Sequence, residues 1–133
     1  MKHNVYGKKL SRDKNQRTAL FKALVRSLIL SESISTTKAK AKAISGLVDK
    51  LITQAKSPST KRLVDQFITD KLVSKKLFDD IVPKLKSRNS GYTSIIKLGF
   101  RQGDGAMMVR MSLLLDKLSK EKKEEAKKEE NVN

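Results

Sequence analysis

The sequence has no cysteine, no tryptophan and a single histidine, His3. These absences remove whole classes of chemistry. Without thiols there is no disulfide, iron–sulfur cluster or thiolate zinc site, and one terminal imidazole builds neither a multi-histidine metal centre nor a Ser/His/Asp triad. Aromatic residues make up only 5% of the chain, too few to line a deep ligand pocket. The longest uncharged apolar stretches, such as residues 27–31 and 113–115, fall far short of the roughly 20 residues that a bilayer-spanning helix requires. No apolar run follows the basic start as it would in a secretion signal. The expectation is a soluble cytosolic chain with no metal, no cofactor, no membrane and no small-molecule substrate.

Acidic residues are scarce as well. Against 30 Lys and Arg stand 14 Asp and Glu, a formal charge of +16 on 133 residues. A single small domain carrying that imbalance repels itself, and a polyanionic partner is the simplest reason for it to persist. The charge is also concentrated. Residues 1–26 carry Lys2, Lys8, Lys9, Arg12, Lys14, Arg17, Lys22 and Arg26 against Asp13 alone. Residues 36–62 reach +6 and residues 84–110 reach +5, whereas residues 63–83 come to −1 and are expected to face solvent or protein.

Hydrophobic spacing divides the chain into an arm (1–12), one folded domain (13–115) and a tail (116–133). The arm lacks apolar periodicity and contains Gly7, so it is expected to be extended. Leu20, Leu24 and Leu28, with Ala23 and Ser27, put a stripe on one face of a first helix, with Lys22 and Arg26 on another. Ile34 among serines suits a very short strand, after which the Thr36 or Thr37 hydroxyl is expected to cap a second helix. That helix presents Ile44, Leu47, Val48, Leu51, Ile52 and Ala55. Lys38 and Lys42 near its start oppose the helix dipole, so a bound phosphate explains them better than stability does.

Pro58 marks a break, Leu63, Val64, Phe67 and Ile68 define a third helix, and Leu77, Phe78, Ile81 and Val82 a fourth that stops at Pro83. The period then becomes two. Residues 93–98 and 106–113 read as strands, joined by a loop holding Gly99, Gly103, Asp104 and Gly105. Helices must cover one face of this small sheet for either to bury its apolar side, which gives a two-layer α+β fold with a mixed or antiparallel sheet. The tail, almost pure Lys and Glu, buries too little to hold itself down and is expected to be flexible.

Catalytic patterns are weak. Asp79 and Asp80 project about 100° apart on a helix and do not converge as an acid/base pair. The glycines at 99, 103 and 105 match neither the dinucleotide fingerprint nor the phosphate loop of nucleotide hydrolases. Arg88 and Tyr92, set among Ser87, Asn89, Ser90 and Gly91, suit backbone approach to nucleic acid, or an ordinary turn whose Tyr packs in the core. A basic arm also suits an anionic membrane, but only Val5, Tyr6 and Leu10 are available as apolar anchors.

Several motifs in order resemble one family. Met1-Lys2-His3, Gly7-Lys8-Lys9-Leu10-x-Arg12, Arg17-x-Ala19-Leu20, Ser27-Leu28-Ile29, Ile34-x-Thr36-Thr37-x-Ala39-Lys40-Ala41-Lys42 and Val48-Asp49-Lys50-Leu51-Ile52-Thr53-x-Ala55-Lys56 are similar to the bacterial large-subunit ribosomal protein numbered seventeen. In the second half Asn89-Ser90-Gly91-Tyr92-Thr93-x-Ile95-Ile96-Lys97-Leu98-Gly99-x-Arg101-x-Gly103-Asp104 resembles the same family's hairpin. The resemblance runs to about Leu115 and omits the tail.

It implies a non-catalytic binder of large-subunit ribosomal RNA on the solvent side near the peptide exit, with neighbouring ribosomal proteins as further partners. Lys2, His3, Lys8, Lys9, Arg12 and Arg17 would then meet RNA, as would Lys38, Lys42, Arg88, Tyr92, Lys97 and Arg101. Asn4-Val5-Tyr6, Gln16, Lys38 and Phe100 depart from the family pattern. A free-standing nucleoid or messenger-RNA protein is the alternative, and cosedimentation with large subunits in high salt separates the two.

Overall fold

The computed structural model describes residues 7–115, so Lys2, His3 and the tail lie outside the described residues. Among the described residues, five α-helical segments and three strands follow in the order α1 (Lys14–Ser31), β1 (Ser33–Thr37), α2 (Lys38–Lys56), α3 (Lys61–Phe67), α4 (Lys71–Lys76), α5 (Val82–Lys84), β2 (Thr93–Phe100) and β3 (Met107–Leu113), with a 3-10 turn at Pro58–Thr60 and a π segment at Leu77–Ile81 between helices. The fold is α+β. A sheet ordered β1-β3-β2, antiparallel at both pairings, has β3 in the middle.

The helices cover one face of that sheet. On β3, Val109, Met111 and Leu113 point into the core, and in register with them stand Thr36 and Ile34 of β1. The core continues through Ala41, Ile44, Val48, Leu51, Ile52 and Ala55 of α2, whose spacing of three and four residues makes one buried face of a 19-residue helix. The buried side of α1 is Val25, Leu28 and Ile29, with Phe21 and Leu24 packed against them. That is a correction to the expected stripe. Ala23 and Ser27 are exposed, because turning the helix toward Phe21 and Val25 buries more apolar surface than two small residues could offer.

Two helix boundaries also differ from expectation. Thr37 does precede α2, but its hydroxyl makes no capping hydrogen bond. Pro83 does not stop the fourth helix. After α4 the coil widens into a π segment, Leu77–Ile81, and the Val82 N–H donates to the Leu77 carbonyl, five residues back. The widened turn relieves the clash that a proline ring otherwise makes with the carbonyl four residues earlier, so α5 passes through Pro83. Leu77 and Ile81 are both buried by this register.

Gly99, expected in the hairpin loop, is part of β2. The pairing shifts between Lys97 and Gly99, a bulge at which Gly99 takes φ +127°, a region almost closed to residues with a Cβ. Short-range links then tie the helices together. Arg26 of α1 pairs with Asp70 at 2.8 Å, and Asp70 also accepts from the Leu72 N–H at the start of α4. The Lys76 amine donates 2.7 Å to the Leu30 carbonyl in the last turn of α1, satisfying one of its free acceptors with a cation.

Candidate nucleic-acid interface

The carboxylates are largely occupied inside the molecule. Asp49 accepts from the Tyr92 N–H, Asp65 from the Ser74 hydroxyl, and Asp70, Glu32 and Asp104 pair with Arg26, Lys76 and Arg101. What is left outward is strongly cationic. Lys8, Lys9, Lys14, Lys38, Lys42 and Lys97 enter none of the ion pairs found among the described residues. Lys38 is half-buried and the other five are exposed.

The entry to α1 is a turn in which the Arg12 N–H donates 3.2 Å to the Lys9 carbonyl, with Leu10 and Ser11 both in the left-handed region. Arg12 donates to the Leu10 carbonyl at 3.0 Å, and Arg17 reaches back 3.0 Å to the Arg12 carbonyl. These guanidiniums thereby hold the turn against the first coil of α1, whose opening turn contains Lys14 and Arg17 and no acid. The opening turn of α2 also has no acid and holds Lys38 and Lys40. The cations at the start of α2 work against the macrodipole, at a cost of about a few tenths of a kcal/mol each, and an anion there would reverse the sign, whereas at α1 the carboxylate of Asp13, the residue before the helix, already offsets part of the charge of Lys14 and Arg17.

Lys8, Lys38 and Lys42 are brought together around one cleft, whose lining is completed by Thr37, Ala39, Ala106 and Met107. Its volume is about 480 Å³, its surface is mostly apolar, and among the described residues no carboxylate lines it. Residues from the turn before α1, the first coil of α2 and the start of β3 thus converge at a point that sequence spacing alone does not bring together.

Other expected contacts are placed differently. Lys22 lies 5.6 Å from the centre of the Phe67 ring, and Arg26 is committed to Asp70, so both serve the packing of α1 on the end of α3 and the segment that follows it. Arg101 is clasped by Asp104 through Nε at 3.0 Å and Nη2 at 2.5 Å. That hydrogen bonding, with a further bond from the Ala106 N–H, lowers the Asp104 carboxyl to about 2. Arg88 is half-buried, and its carbonyl accepts from the Lys56 amine.

Tyr92 is a correction. Its ring is 1% exposed, its hydroxyl donates 2.9 Å to the Asn89 carbonyl, and the Lys56 amine sits 4.6 Å from the ring centre. No ring face remains for a base, and of the two readings open at this turn the structure takes the core one. A residue not singled out from sequence is Arg110. It stands exposed in the middle of the uncovered sheet face, between Ser35 of β1 and Ile96 of β2. The strict alternation of β3 around it, Val109 and Met111 being apolar, was the available signal.

Among the described residues no cluster of His, Cys, Asp and Glu could hold a metal ion, and no helix is long and apolar enough to cross a membrane. A family model described as "Ribosomal protein L17" matches residues 20–114. A protein of Anaeromyxobacter sp. (strain K) named "Large ribosomal subunit protein bL17" is 44% identical over 116 residues, covering 86% of this chain and 73% of its own length. Proteins of the same name from Sulfurihydrogenibium sp. (strain YO3AOP1) and Thermodesulfovibrio yellowstonii are 49% and 39% identical. The former match covers 79% of this chain and 89% of that protein, and the latter covers both in full.

Proposed function

The chain belongs to the ribosomal protein L17 family, and from that premise we propose that it is a structural, non-catalytic protein of the large ribosomal subunit that binds ribosomal RNA. Contact is made through the arm of residues 1–12, with Lys2, His3, Lys8, Lys9 and Arg12, and through Lys14, Arg17, Lys38, Lys42 and Lys97 on the folded domain. Arg110 joins them on the open sheet face. Lys22, Arg26 and Arg101 add positive field while their side chains also serve the fold, and Arg88 adds its charge from a half-buried position.

The observation that carries this reading is the sorting of charge. Glu32, Asp70 and Asp104 are ion-paired within the protein, and Asp49 and Asp65 accept hydrogen bonds within it, while lysines gather at the starts of both long helices and around one cleft. Phosphate oxygens are the ligands that such a surface neutralises, and contacts of this type set position more than sequence preference. Selectivity then comes from the shape of the folded RNA.

Neighbouring ribosomal proteins are the second class of partner. On β2, an edge strand, Ile96, Leu98 and Phe100 are exposed at 56%, 50% and 73%. An apolar strip on so cationic a molecule is of little use to phosphate and suits protein. The site belongs to the bacterial cytoplasm, on the solvent side of the large subunit near the peptide exit.

Sedimentation of a bacterial lysate containing the tagged chain, in salt high enough to strip loosely held nucleic-acid binders, tests the proposal. The protein is expected to travel with large subunits and 70S particles and to be absent from free small subunits. Recovery with nucleoid or free messenger RNA instead would overturn it.

A further inference from the structure

We infer that the cleft between the turn before α1, the start of α2 and the start of β3 receives one unstacked RNA nucleotide, its base against Met107, Ala39 and Ala106 and its phosphates on Lys8, Lys38 and Lys42. The inference rests on the ribosomal-RNA reading and goes further by naming a point of base contact. Four features support it. The cleft has about 480 Å³, within the range of sites that take small organic groups. Its lining is mostly apolar, which phosphate contact alone does not call for. Among the described residues its charged lining is all lysine, supplied by two separate elements, with no acid. Met107 and Ala106 are half-buried, so their surfaces are partly formed before anything binds.

A nucleotide has the matching chemistry, an aromatic ring with an anionic tether. Methionine sulfur makes favourable contacts with aromatic rings, and extruded bases are held between aromatic or apolar side chains. Double-stranded RNA has no ring to offer, because its bases are stacked, and recognition of RNA by base contact falls mainly on loops and bulges. Asp104, close in sequence to the cleft at Ala106, does not spoil the field, since its charge is held by Arg101.

The test uses the full chain and deproteinised large-subunit ribosomal RNA, with affinity measured over a salt series and base-modifying reagents applied to the complex. Met107→Ser removes the apolar contact. Ala39→Phe, at an exposed helical position, fills the cleft while leaving the core untouched. Each is expected to weaken binding about tenfold, as loss of one stacked base does, with the slope of log K against log salt unchanged. The same unpaired base, shielded by the wild-type protein, becomes reactive in both. If Met107→Ser lowers the melting temperature, Ala39→Phe decides. Wild-type affinity and footprint for Ala39→Phe would overturn the cleft inference and leave the RNA reading standing, as would weaker binding with no newly reactive base. Failure of the wild-type protein to bind this RNA would remove both.

Discussion

The Tyr92 hydroxyl and the Asp104 carboxylate show how single polar groups here serve the fold so that lysines can serve the ligand. Tyr92 is buried with its one donor satisfied at 2.9 Å by Asn89. Tyr92→Phe is expected to lower stability by about 0.5–1.5 kcal/mol, the net worth of one such bond, in chemical denaturation. RNA affinity and its salt dependence should both stay as in the wild type, since the tyrosine is buried in the core. Asp104 titrates at about 2 instead of its ordinary 3.8 because Arg101 and the Ala106 N–H both bond its charged form. A carboxyl whose pKa is lower in the folded state stabilises above the ordinary value, and that contribution is lost as pH falls through the lowered one. The amide resonance of Ala106 is therefore expected to titrate with a midpoint near 2, and in Asp104→Asn the transition should vanish.

Among the elements, two glycines carry opposite expectations. Gly99 sits at the β2 bulge with φ +127°, so Gly99→Ala is expected to cost about 1–3 kcal/mol through backbone strain. Gly46 is in the interior of α2, exposed, and a methyl group there meets nothing within 4 Å. Gly46→Ala should gain about 0.5–1 kcal/mol by restricting the unfolded chain and improving helix propensity. Thermal melts of both variants check the pair. The same elements show what the sequence made legible. The spacing in α2 and the alternation in β3 are set by which face is buried, and burial is written in residue type. The α+β class and the second helix's face therefore followed from pattern. The π segment at Leu77–Ile81 did not, because its register depends on where Leu77 and Ile81 meet the rest of the core. From sequence alone Gly99 reads as loop, because a glycine in a bulge and a glycine in a turn look alike without the partner strand. Tyr92 stayed ambiguous for a related reason, as its burial depends on Lys56 and Asn89 closing over it. The cleft was legible only in part. Lys38 and Lys42 stood out by opposing the dipole of α2, whereas Lys8, Ala106 and Met107 reach it by tertiary folding alone.

At the scale of the whole molecule, a formal +16 is a standing cost in self-repulsion. Binding to RNA reverses that cost, since each phosphate engaged releases condensed counterions, and the entropy of their release depends on bulk salt. The charge in front of α1 should thus be visible as a slope. If Lys8, Lys9 and Arg12 each meet one phosphate, replacing all three by Gln is expected to make log K against log salt shallower by about 2–3, taking roughly 0.7–0.9 per contact. The loss should be similar for large-subunit RNA and for unrelated structured RNA, because phosphate contacts carry little sequence information. All three side chains are exposed, and only Arg12 makes a local hydrogen bond, so the melting temperature should move little. Filter binding from low to moderate salt, with wild type and triple variant side by side, checks the expectation. An unchanged slope would take the arm out of the interface and place the electrostatic contact on α1, α2 and the sheet.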